Sequence, residues 1–130
     1  DVVCATVTDQ VDEFFGESTD DVAAIARAAR RLVLAIRPDA VEVLDRADRI
    51  VGYATGPRPL KDLWAGIAPH RAHVNVQLAN GALVSDPAGI VEGTGARVRH
   101  VKLHTAADVE RPALRAVLED SLARHLAATS

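Results

Sequence analysis

Between Val41 and His104 apolar residues recur at every second position, whereas both flanking segments repeat them with a helical period. A chain that changes period twice in this way must form a sheet between helical ends. The N-terminal side predicts a short helix near Asp9–Phe15, with Thr8 as N-cap and Gly16 as its stop. A longer helix is expected from about Thr19 to Arg37, with Ser18 and Asp21 at capping-box spacing. Val22, Ile25, Ala26, Ala29, Val33 and Ile36 form its apolar stripe. Pro38 ends it, because proline has no N–H and disfavours helical geometry at the residue before it.

The period-two region divides at turn residues. Val41–Leu44 and Arg49–Thr55 read as strands around Asp45–Asp48. Leu63–Ala68 and His73–Ala79 read as a hairpin, with a helix over Leu60–Ile67 as the alternative for the first. Asn80-Gly81 is a hairpin-turn pair leading into a strand at Ala82–Val84. Asp86-Pro87 has the form of an N-cap opening a single helical turn closed by Gly93. Arg97–His104 is a further strand. Pro112 then starts a last helix with Leu114, Val117, Leu118, Leu122 and Leu126 on its apolar stripe. The fold class expected is α+β: a mostly antiparallel sheet of about five strands, with N-terminal and C-terminal helices packed on one face.

The 130 residues are read as a single domain, 1–130, with no internal repeat or linker. The net charge of −3 and 3% aromatic content exclude a nucleic-acid module, which needs a basic stripe and stacking platforms. Cys4 is the only cysteine, so neither an intrachain disulfide nor a cysteine-cluster metal site can form. That usage fits a reducing, cytoplasmic compartment. No apolar run approaches the ~20 residues of a membrane span, and no signal peptide is visible. Arginine dominates the basic residues, with Lys61 and Lys102 the only lysines, which points to a GC-rich bacterial genome.

Alternation also sorts the side chains by face. Val74, Val76 and Leu78 oppose His73, Asn75 and Gln77; Val101 and Leu103 oppose His100, Lys102 and His104. With helices on the apolar face, the other face displays histidines, amides and a lysine, a surface suited to a small ligand or a metal ion. His70 and His73 flank a turn where a metal could bridge them. Gly93-Thr94-Gly95, followed by Arg97 and Arg99, has the consecutive N–H groups of an anion nest without a dinucleotide or P-loop fingerprint. The expected ligand-binding set is therefore His73, Asn75, Gln77, Arg97, Arg99, His100, Lys102 and His104. Ser85 and Asp86 lack a nucleophile elbow, so no catalytic residue is assigned and a non-enzymatic role is expected. A homodimer is the interaction alternative.

Several segments, taken in order, resemble the YdhG-like family of small bacterial domains of unknown function. They are Val51-Gly52-Tyr53, Gly56-Pro57, Ile67-Ala68-Pro69-His70, His73-Val74-Asn75-Val76, Ser85-Asp86-Pro87, Val91-Glu92-Gly93-Thr94-Gly95 and Arg99-His100-Val101-Lys102-Leu103. The resemblance spans about Val11 to Leu126 and implies an α+β fold with an antiparallel sheet. Related proteins are described as frataxin-like iron chaperones, so it implies iron as the one metal to consider. The carboxylates Asp9, Asp12, Glu13 and Glu17 are the alternative metal-binding set on that reading.

Overall fold

The structure, a computed structural model, describes residues 6–58 and 60–129; Cys4 lies outside them. Two helices, α1 (Val7–Gly16) and α2 (Asp20–Ile36), precede six strands. The strands are β1 (Val41–Asp45), β2 (Ile50–Ala54), β3 (Leu63–Pro69), β4 (Val74–Leu78), β5 (Val91–Glu92) and β6 (Arg99–Leu103). A short helix, α3 (Ala106–Val109), leads into the long α4 (Pro112–Thr129). The strands form one sheet in the order β1-β2-β3-β4-β6-β5, antiparallel at every pairing. This is the expected α+β architecture, with six strands against the about five expected.

Helix boundaries follow local capping. Thr6, not Thr8, caps α1: its hydroxyl accepts the Asp9 N–H while the Asp9 carboxylate accepts the Thr6 N–H. Thr19 caps α2 by accepting the Val22 N–H, so the Ser18–Asp21 pair is not the cap. Val11, Phe14 and Phe15 of α1 and Val22, Ile25, Ala26, Ala29 and Val33 of α2 are buried against the sheet's inner face. That face presents Val51, Tyr53, Ile67, Val74, Val76, Leu78, Val101 and Leu103, all buried. On α4 the stripe runs Leu114, Val117, Leu118, Ser121, Leu122 and His125. Leu126, expected on that stripe, is exposed; His125 takes the inward position, one residue earlier.

Leu63–Pro69 is strand, which resolves the helical alternative: its backbone is paired on both sides, by β2 and β4. Two sequence expectations are corrected in the 79–93 connection. Ala82–Val84 is not a strand. The Asn80 N–H and side chain are instead drawn to Ser121 on α4, at 3.3 and 3.5 Å. The turn passes so close to β6 that a Cβ on Gly81 would lie 2.9 Å from the Arg99 nitrogen. Nor does Asp86-Pro87 open a helical turn. The Asp86 carboxylate accepts the N–H groups of Ile90 and Val91, at 2.9 and 3.0 Å, and Gly89 reverses the chain at φ 68°. That turn delivers Val91–Glu92 to the edge of β6 as the sixth strand.

Candidate functional site

The helices leave the sheet's other face open. Register places Val43, Gly52, Gly66, Gln77, His100 and Glu92 in one continuous row across all six strands. Adjacent strands lie ~4.8 Å apart, so the row is about 24 Å long. Its chemistry changes along the way: apolar or side-chain-free over β1–β3, polar and basic over β4 and β6.

The basic half contains most of the residues that alternation placed there. His73, Asn75, Gln77, His100 and Lys102 are half-buried on the open face, and His104 is exposed beside them. His70 and His73 stack with ring centroids 4.8 Å apart, and the His104 ring lies 6.1 Å from that of His73. Asn75 is within 3.3 Å of His70 Nε2. Burial, first of all, pushes the His73 imidazole below its ordinary value; the positive charges of His70, Lys102, His104 and His100 push the same way. His104 therefore joins the His70–His73 pair, whereas His100, four residues from His104 on β6 and the register partner of Gln77, lies beside Gly93. No group of three or more metal-ligating side chains among the described residues is placed to hold a metal ion.

Arg97 and Arg99 belong elsewhere. Arg99 shares the parity of Val101 and Leu103, and its Nε donates to the Gly95 carbonyl at 3.0 Å, bracing the loop before β6. Arg97 lines a cavity of about 690 Å³ with Arg58, Lys61, Asn80 and His125, away from the histidine cluster. The N-terminal carboxylates are largely engaged. Asp9 caps α1, Asp12 pairs with Arg27 at 2.9 Å, and Glu17 pairs with Arg46 at 2.9 Å; Glu13 is exposed.

The apolar half escaped the sequence reading. A recess of about 490 Å³ opens there, lined by Val43, Ile50, Gly52, Leu60, Leu63 and Gly66, with Gln77 and Val98 toward β6. Gly52 and Gly66 are register partners, so two neighbouring strands lack a side chain at the floor. A Cβ at Gly66 would come within 2.8 Å of the tip of Ile50, and one at Gly52 within 2.7 Å of Leu63. Val43, Leu60 and Val98 are 40%, 85% and 53% exposed, a grouping of large apolar residues that water does not favour. The signal was present in Val43, Ile50 and the two glycines, but only pairing shows that they share one row.

The loop carrying Leu60 is fixed by Asp62. This buried carboxylate accepts the Arg58 N–H at 2.8 Å and the Arg58 guanidinium at 2.6 and 3.0 Å, while the Asp62 carbonyl accepts the Thr55 N–H. Hydrogen bonds from Arg58 hold the Asp62 carboxyl below the usual carboxylate range. His125 of α4 meets Thr55 Oγ1 at 3.1 Å, and burial lowers its pKa. The Asp62 carboxylate that could complete a hydrolytic triad is taken by Arg58, so the Thr55–His125 contact ties α4 to this loop.

A second buried polar group holds β1 to the helix layer. Arg30 donates to both Glu42 oxygens at 2.8 and 2.7 Å, and the Tyr53 hydroxyl donates to Glu42 Oε2 at 2.9 Å. Burial, followed by the Glu42 charge, pushes the Tyr53 phenol well above its ordinary value. Glu42 shares a face with Leu44, the one position in β1 where a carboxylate must turn inward and find a partner.

No family model, curated protein or solved structure matches this chain. Fold and site together define a class: an antiparallel α+β domain with helices on one face of the sheet and the other face open. No helix among the described residues is long and apolar enough to cross a membrane.

Proposed function

We propose that the chain is a non-enzymatic binding domain that takes a small ligand on the open face of its sheet. The observation that carries this reading is the gathering of His70, His104 and Lys102 around His73, with His100 further along β6. All four neighbours of His73 in this set disfavour its proton, and no carboxylate is among the charges acting on it. An incoming anion gives the half-buried His73 the counter-charge that none of these neighbours supplies, and favours its imidazolium. A phosphate, sulfate or carboxylate group meets that demand better than a cation does.

The YdhG-like resemblance agrees with the antiparallel α+β architecture, and the iron role it implies would fall to Asp9, Asp12, Glu13 and Glu17. Two of those carboxylates hold arginines and one caps a helix, so iron would have to displace existing contacts. A reducing, cytoplasmic setting suits this reading. Amide resonances recorded during separate additions of inorganic phosphate, zinc and ferrous iron test it. Phosphate is expected to shift His73, Asn75, Gln77, His100 and Lys102. Metal-induced broadening at Asp9–Glu17, with no phosphate response on the sheet, would overturn the proposal in favour of the iron reading.

A further inference from the structure

The apolar recess and the basic cluster are neighbours on one face, joined through Gln77. Gln77 lines the recess and is the register partner of both Gly66 and His100. Two strand spacings, about 10 Å, separate the Gly66 and His100 backbones. At the far end of the recess stand Asp45 and Asp48, where Asp45 accepts the Asp48 N–H at 3.0 Å. The face thus carries negative charge at one end, an apolar floor between, and histidines with a lysine at the other.

We infer that the open face binds a free single-chain amphiphile with an anionic head, its tail in the Gly52–Gly66 recess and its head at His100 and Lys102, the side of the anion site nearest the recess. This rests on the proposed anion site and adds the tail. Charge fixes the orientation: Asp45 and Asp48 repel an anionic head from the β1 end, and Glu92 beside His100 limits how far it can pass beyond β6. The recess, about 490 Å³ and walled by apolar side chains, favours a narrow occupant over a second copy of the chain. The Ile50 and Leu63 side chains lie over the two glycines and, with Val43, Leu60 and Val98, wall a hollow that a flat, pleated sheet face would leave unfilled and an alkyl chain can occupy. Leu60 stands at the rim because Asp62 pins the loop that carries it.

The test is calorimetric titration of the full chain with methyl, butyl, hexyl and octyl sulfate below their micellar concentrations. These heads stay anionic at every pH used. Affinity is expected to rise about twofold per methylene, short of the roughly fourfold that complete burial of each group would give. Gly66→Val pushes the Ile50 tip into the recess and is expected to abolish the chain-length dependence while methyl sulfate still binds. Lys102→Gln combined with His100→Gln is expected to weaken every member of the series alike. Val98→Asp, at the rim, repeats the first effect if Gly66→Val fails to fold. Equal affinity for methyl and octyl sulfate overturns the tail assignment and leaves the anion site standing. Absence of any binding overturns both. Binding only to anionic vesicles, or sedimentation showing that the same face closes a dimer that excludes octyl sulfate, also overturns the inference.

Discussion

Gln77 of β4 and His100 of β6 face each other across the sheet, and that pairing joins the apolar recess to the histidine cluster. The two halves would otherwise be separate surface features with unrelated explanations. Their adjacency follows from β6 pairing with β4, which requires the chain to leave β4, cross the 79–98 segment and return antiparallel. The Asn80–Ser121 contact and the Asp86 turn fix that return path, so residues far from the face decide its composition.

The Arg30–Glu42–Tyr53 group should contribute strongly to stability. Both charged side chains are nearly out of solvent, at 12% and 7% exposure, and removing one leaves the other buried without its partner. Glu42→Ala is expected to lower unfolding free energy by about 2–4 kcal/mol in urea denaturation. Tyr53→Phe, which deletes only the hydroxyl, is expected to cost about 1 kcal/mol.

Stability should depend on pH through His73 and His125. Both have folded-state values below the ordinary 6.5, so below that pH the unfolded chain binds protons that the folded chain resists. Stability is fully present above 6.5 and falls as pH drops beneath it. His125→Gln and His73→Gln should each reduce that slope in thermal or urea unfolding followed across the window. Asp62 and Asp108 are lowered, so their contributions are present above 3.8 and are lost as pH falls through their folded values.

The Asn80–Ser121 contact makes a separate prediction. Ser121→Ala removes the hydroxyl that accepts the buried Asn80 N–H, with an expected loss of about 1–2 kcal/mol. Amide exchange should accelerate at Asn80 and Gly81 more than in β1 or β2.

The acidic ridge should matter little. Asp12 and Glu17 form exposed ion pairs, each worth less than about 1 kcal/mol. Asp12→Asn with Glu17→Gln is expected to leave phosphate binding unchanged, which a titration of the double variant checks.

The inner and outer faces of β4 and β6 were legible from alternation, because a strand buried on one side must alternate there. Residues such as Val74 and Lys102 therefore declared their sides without any knowledge of pairing. The 79–93 segment was not legible, since Asn80-Gly81 satisfies a hairpin locally while Ser121, far along the chain, offers a competing partner. The recess was hidden for a similar reason. Gly52 and Gly66 carry no side-chain pattern of their own, and only register sets them side by side. Apolarity puts Leu126 on the α4 stripe, whereas packing selects the position before it, His125.

The central claim, that the open face is the binding face, is tested most directly by intermolecular nuclear Overhauser effects with bound octyl sulfate. Contacts are expected from the terminal methyl to Val43, Ile50 and Leu63, together with head-dependent shifts of the His100 ring and the Lys102 side chain. Contacts confined to exposed apolar residues elsewhere, such as Val7, Leu83 or Leu126, with unmoved histidine rings, would contradict it.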